Sequence, residues 1–283
     1  MANTIDSNVI AKILVREYER PITREFKVIP FANRKYEGDL KQKWDTVRVP
    51  FIKLKSGWNT SVTDSIRDIP ASDLEIGEHS MVIEQYYDIR FKISDKQLSE
   101  LGEDLWTTSE VVRQIKNLAQ EKQEDYFVNK VITTTEIPTE NKITWITWGL
   151  NGANIFAEIM KISTALSKQN VPEKDRIIFI NAETASILIQ AKILDNTDVW
   201  LKARSEGVLG KIAWMTIVQS NAIPDNKIIG YQDKAANFVE KLNFIKVKEA
   251  DSGNYYNIIG WLLFDAWLFW EAVKKVVIYT ITP

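Results

Sequence analysis

The chain has 283 residues, 45% hydrophobic and 26% charged, with a net charge of −2 and with Lys and Arg scattered rather than blocked; this globular balance excludes long disorder and a dedicated nucleic-acid binder, which needs concentrated positive charge. It has no cysteine and one histidine, His79, which excludes disulfides, thiolate metal sites and cysteine nucleophiles and leaves any histidine-based triad a single possible base. The most apolar stretch, Ile258 to Trp270, contains Asp265 and is too short to cross a bilayer, and the N-terminus lacks a basic segment followed by an apolar one, so a soluble chain without a signal peptide is expected.

Residues 1–42 mix polar and apolar positions, and Pro21 and Pro30 interrupt any long helix. They read as an arm that packs against something else. Residues 43–94 read as β structure. Thr46 to Val49 alternate and lead into Phe51–Leu54, Ser56-Gly57 marks a turn, and a polar stretch with Pro70 and Gly77 runs from Asn59 to Glu78. His79 sits beside it and reads as a solvated loop residue. Met81, Ile83, Gln85, Tyr87, Ile89, Phe91 and Ile93 then share one face of a single returning strand. Two strands flanking a polar excursion predict an extended two-stranded loop, which is marginal in water unless something supports it; a neighbouring subunit is one source.

Thr107-Thr108-Ser109-Glu110 has the form of a capping box, with Glu103 and Asp104 just before it. Val111, Ile115, Leu118, Lys122 and Tyr126 recur at helical spacing, which predicts a long helix over 107–130. Thr133 to Trp148 looks β-like and is broken by Asn151-Gly152. Ile155, Ile159, Ile162 and Leu166 define a second helix, closed by Asn170 and Pro172. Arg176–Ile180 is a short apolar strand, and Asn181 can cap a third helix to about Lys192, with Glu183 in its first turn. Asp195 to Gly210 reads as a polar loop, Lys211–Gln219 and Ile228–Tyr231 as strands, and Phe244 to Thr282 as strand-like with a turn at Asp251-Ser252-Gly253. No repeat of 20–50 residues is visible. The order of elements is α+β.

Catalytic signatures are scarce. No HExxH, His/Cys cluster, GxGxxG, calcium loop or Ser-x-x-Lys pair occurs. Gly207-Val208-Leu209-Gly210-Lys211 fails as a phosphate loop on spacing, and Ile212 stands where a magnesium-binding hydroxyl belongs. Asn59-Thr60-Ser61 has the form of a glycosylation acceptor without the secretory signal that would make it one. Carboxylates are plentiful, but nothing singles out a pair. No cofactor, metal or catalytic residue is expected. Ten Trp, eleven Phe and nine Tyr supply core and interface anchors instead.

Several local stretches resemble one family in the right order. Trp44-Asp45-Thr46-Val47-Arg48-Val49 resembles a "G-D-T-V-R-I" strand, and Val82 to Asp95 resembles "L-x-I-D-Q-x-K-Y-x-x-F-x-V-D-D". Asn170-Val171-Pro172 through Asn181 resembles "N-V-P-x-x-x-R-x-x-V-x-P", and Gly210-Lys211-Ile212-Ala213-Trp214 resembles a "G-x-I-x-G-F" strand entry. Together they resemble the major capsid proteins of tailed bacteriophages, over about residues 40–235. Departures are Trp44 for the usual Gly, Asn181 for the usual Pro and Trp214 where Gly is common.

The resemblance implies a Hong Kong 97-like fold. It would have an N-terminal arm at 1–42 and an extended β loop at 43–94. A peripheral domain with a long spine helix would take 95–149 and 236–283, and an axial domain 150–235. It implies a structural subunit, not an enzyme, that assembles with itself as hexamers and pentamers into an icosahedral virion shell. Assembly would take place in the bacterial host cytoplasm with a portal. Since the chain runs from Met1 almost directly into the arm, a separate scaffolding protein is also expected. The shell would enclose double-stranded DNA without sequence-specific binding and without a membrane. Candidate inter-subunit contacts are Lys53, Lys55 and Trp58. Two other readings stand beside this one: an encapsulin-like shell around a cargo enzyme, and a soluble enzyme using a carboxylate pair.

Overall fold

In the strand Arg176–Ile180, Ile177 and Phe179 enter one hydrophobic core while Ile178 and Ile180 enter another, as the two-residue period of a strand dictates when both sheet faces are covered. This computed structural model describes residues 26–36, 46–54, 74–94, 105–145, 150–191, 208–212, 214–249 and 255–281. Its strands are β1 (Thr46–Leu54), β2 (Leu74–Val82), β3 (Gln85–Ser94), β4 (Lys142–Trp145), β5 (Arg176–Ile180), β6 (Val208–Ile212), β7 (Met215–Gln219), β8 (Lys227–Gln232), β9 (Asn237–Glu249), β10 (Tyr255–Trp267) and β11 (Val276–Ile281). Its helices are α1 (Leu105–Thr133), α2 (Ile155–Lys168) and α3 (Ala182–Gln190).

Six strands form one mixed sheet in the order β4-β11-β8-β5-β7-β6. On one face, Ile155, Ile159, Ile162 and Leu166 of α2 and Leu188 of α3 pack over Ile178, Ile217, Ile228 and Val277. On the other, Phe127, Val128 and Val131 of α1, with Val28 and Ile29, pack against Phe179, Val218, Tyr231 and Ile278. Gly230 of β8 lies where α2 presses closest: a Cβ there would fall 2.2 Å from Ile162 Cγ2. A second sheet, β3-β10-β9, is antiparallel. Through Leu262, Phe264 and Ala266 of β10 it joins the α1 side of the core. The third sheet is the two-stranded ribbon β1-β2.

Capping and burial explain the elements read most cleanly from sequence. Asn181 Oδ1 accepts from Thr184 N at 2.9 Å at the start of α3, an N-cap. Arg176 turns back from the head of β5 and is fully buried. Its guanidinium donates to the carbonyls of Ser163, Val171 and Pro172 and to the hydroxyls of Ser163 and Ser167, at 2.6–3.1 Å. Those carbonyls surround the C-terminal end of α2, where a cation is favoured. Burial pulls its pKa below the ordinary arginine value.

Several boundaries differ from expectation. The single returning strand is two: β2 pairs with β1, then β3 leaves for β10. Alternation reports which face a residue occupies, not which strand lies beside it, so the change of partner at Ile83-Glu84 left no mark on the pattern. β2 also begins at Leu74, inside the stretch that composition marked as polar loop. α1 starts at Leu105, so Thr107 to Glu110 lie within the helix rather than capping it. It runs to Thr133, and only Lys142–Trp145 of the expected β stretch forms a strand; 146–149 lie outside the described residues. Lys211–Gln219 is a hairpin, not one strand: β6 and β7 pair across Ala213-Trp214, with Trp214 in the left-handed conformation at φ 59°. Val208 to Gly210 belong to β6, while the rest of the expected loop, 195–207, is outside the described residues. The tail divides between two sheets, β9 and β10 joining β3 and β11 entering the six-stranded sheet beside β4.

Of the expected arm, residues 26–36 are described and lie on the body of the chain. Ile29–Phe31 form a 3-10 turn. Asn33 bridges to Asn237 through paired backbone bonds of 2.8 and 3.1 Å, and Phe31 packs on Phe179 with ring centres 5.8 Å apart. The amides of Lys27 and Val28 both donate to Glu124 Oε1 of α1. Burial of that carboxyl outweighs these bonds and raises its pKa above the ordinary value.

The two-stranded ribbon as candidate assembly interface

The β1-β2 ribbon is antiparallel over nine register pairs, from Thr46 opposite Val82 to Leu54 opposite Leu74. Residues directly opposite share a face, so the odd-numbered positions form one face and the even-numbered positions the other. Near the base the odd face is buried: Val47, Val49 and Met81, with Ile83, pack on Val239 of β9 and Leu263 of β10. His79 belongs to this face. It lies in a strand, half-buried, with its ring stacked 4.6 Å from Phe269 at 16°, and is not the solvated loop residue composition suggested. On the even face Thr46, Arg48, Pro50, Ile76, Glu78, Ser80 and Val82 are exposed, and Arg48 pairs with Glu78 at 3.3 Å.

Of the three sequence-derived contact candidates, Lys53 lies on β1 opposite Glu75 of β2, a position on the odd face. Lys55 and Trp58 lie outside the described residues.

The ribbon meets the body at a polar joint that sequence reasoning missed. Asp265 of β10 is buried and accepts three hydrogen bonds: from Glu84 N at 3.0 Å, Tyr126 Oη at 2.7 Å and Ala266 N at 2.8 Å. It thus ties the β2-β3 junction, α1 and β10 together. The Tyr126 ring stands edge-on to Phe264 at 5.6 Å. Burial raises the Asp265 pKa, opposed by these bonds and by Lys130; burial and Asp265 itself push the Tyr126 phenol up. One signal was present in the sequence: a lone acid within an apolar strand must find donors.

The other buried acids are engaged separately. Glu158 of α2 accepts from Tyr279 Oη at 2.7 Å and from Lys161 Nζ at 2.9 Å. A cavity of about 160 Å³ is lined by Phe26, Asn117, Gln120, Glu121, Glu124 and Asp125 among others; there Glu121 and Asp125 are exposed, and Glu124 is the acid that clamps the 26–36 segment. Among the described residues no group of three or more His, Asp or Glu could hold a metal ion, and no helix is long and apolar enough to cross a membrane.

No protein-family model matches the sequence, and no curated protein matches it. Solved structures do match, along nearly the whole chain. One from Mycobacterium phage Che8 is 16% identical, with a TM-score of 0.63 over 92% of this chain and 93% of that one. The capsid of cyanophage P-SCSP1u is 13% identical, with a TM-score of 0.65 over 93% and 91%. A virus-like particle from Pyrococcus furiosus is 13% identical, with a TM-score of 0.58 over 97% and 100%. Likeness at this identity concerns the fold, and the fold is α+β and Hong Kong 97-like.

Proposed function

We propose that this Hong Kong 97-like chain is the major capsid protein of a tailed bacteriophage, a structural subunit that closes with copies of itself into an icosahedral head. The observation that carries the reading is the extent of the likeness: it runs through more than nine-tenths of this chain and of the phage Che8 and cyanophage P-SCSP1u chains. A match of that extent takes in the ribbon as well as the two larger sheets. The ribbon supports the reading independently, because nine register pairs without a third strand are marginal in water, whereas in a shell neighbouring subunits cover them.

In this reading residues 1–42 are the arm and 43–94 the extended loop. Residues 95–149 and 236–283 form the peripheral domain with α1 as its spine, and 150–235 the axial domain. Subunits associate as hexamers and pentamers with a portal and a separate scaffolding protein in the bacterial host cytoplasm, and no step requires catalysis. Each contact is modest, and the shell holds because every subunit makes several at once. A net charge of −2 suits DNA enclosed without tight binding.

Electron microscopy of the purified chain, with a nucleic-acid stain on the same fractions, tests this. Closed shells, tubes or spirals are expected from the chain alone or with scaffold, and DNA-filled shells from virions. Shells that carry a protein cargo and no DNA would move the assignment to a nanocompartment. Monomers or small oligomers that never assemble, even with scaffold, refute it.

A further inference from the structure

The apolar pattern of the ribbon changes face along its length. Near the base, apolar residues occupy the odd face and pack on the chain's own body, while the even face there carries Arg48, Glu78 and Ser80. Toward the far end, register puts Ile52 opposite Ile76 and Leu54 opposite Leu74. All four of these positions fall on the even face. The odd face carries Phe51, Lys53, Glu75 and Gly77 along the same stretch. Ile76 is 74% exposed.

A strand that served only its own body would keep one apolar face throughout, since the period is two. Here the far half turns an aliphatic cluster to the side opposite the body. An exposed cross-strand aliphatic cluster on a marginal ribbon marks a contact surface.

From this we infer that the even face of the far half of the ribbon, centred on Ile76, docks on the body of a second copy of this chain. The size of the patch selects the occupant. Four aliphatic side chains offer roughly 250–500 Å² of apolar area. A self-standing specific complex buries about 1,200–2,000 Å². The patch is too small to hold an unrelated partner alone. It suffices as one of several contacts repeated by every copy in a closed assembly. The inference rests on the shell reading and adds to it the face, the anchoring position and the side of the ribbon on which the neighbour lies. Arg48 and Glu78 form the polar rim nearest the base.

The test uses the full chain with two substitutions on the same ribbon face, Ile76→Asp and Ser80→Asp, which add the same charge. Assembly is followed by sedimentation and electron microscopy, and folding of the unassembled subunit by circular dichroism and urea. Ile76→Asp is expected to raise the assembly concentration about tenfold or more with unchanged unfolding, and Ser80→Asp to leave assembly close to wild type. The chain has no cysteine, so Ile76→Cys carrying a benzophenone label gives a second readout. Irradiated shells should yield adducts between two copies, mapped by mass spectrometry to the neighbour's body. Wild-type shells with Ile76→Asp assembling at the same concentration, or a label that reacts only within its own chain, overturn this inference alone. A wild-type chain that never assembles overturns the shell reading and this inference with it.

Discussion

Replacing Asp265 with Asn should loosen the joint that holds the ribbon to α1. The carboxylate accepts from Glu84 N, Tyr126 Oη and Ala266 N within 2.7–3.0 Å. An amide of the same shape has one acceptor oxygen, good for two donors at most. Its NH2 must then face a donor. The substitution therefore removes at least one charge-assisted bond and leaves a buried donor unsatisfied, at a cost of about 2–4 kcal/mol. Urea unfolding of the unassembled subunit measures this directly, and the equivalent fall in Tm is roughly 5–15 °C. Tyr126→Phe removes one of the three donors and should cost about 1 kcal/mol; the double variant should cost less than the sum, since both act on one network. The pH dependence carries a sign. Burial raises the folded-state pKa of Asp265 above its value of about 3.9 in an unfolded chain. The folded state therefore keeps the proton to higher pH, and this group's contribution to stability falls as pH rises through that interval. The difference between wild type and Asp265→Asn should narrow from acid toward neutral pH. A cost under about 1 kcal/mol, against the 1–3 kcal/mol of one unsatisfied buried donor, or a difference that widens with rising pH, would refute the reasoning.

Gly230→Ala puts a methyl 2.2 Å from Ile162 Cγ2 and should destabilise by about 3 kcal/mol; adding Ile162→Ala should recover part of that in urea unfolding, and two additive losses would mean that the sheet and α2 do not press on each other at this point. Arg176→Met leaves the Ser163, Val171 and Pro172 carbonyls without their donor and should cost about 3–5 kcal/mol by the same measurement, with Arg176→Lys keeping only part. Trp214 is 59% exposed at φ 59°, so Trp214→Gly should raise subunit stability by about 1 kcal/mol, read as a higher Tm; a loss instead would show that the indole packs on the folded subunit.

That last position also shows what a resemblance can carry. Gly210 to Trp214 resembles a strand entry in which Gly is common where Trp214 stands, and the backbone there is left-handed, the conformation in which glycine is least strained. The departure is therefore a local strain in an otherwise matching hairpin. Asn181 replaces the usual Pro and does a different job, capping α3 through its side chain.

Local chemistry was legible wherever an element is defined by its own residues. The four apolar positions of α2, the all-buried β5 and the Asn181 cap follow from spacing and side-chain type, because a helical stripe or a cap is closed within a few residues. Alternation likewise identified the β character of Thr46–Leu54 and of the stretch through Ile93. What only the tertiary structure decided is which strands lie side by side. β3 leaves β2 for β10, and β11 comes from the end of the chain to sit between β4 and β8. Asp265 passes from an interruption in an apolar run to the tie between ribbon and helix. A period of two fixes the face a side chain takes. The neighbouring strand is chosen by contacts far apart in sequence, and for the far half of the ribbon, on our inference, by another copy of the chain.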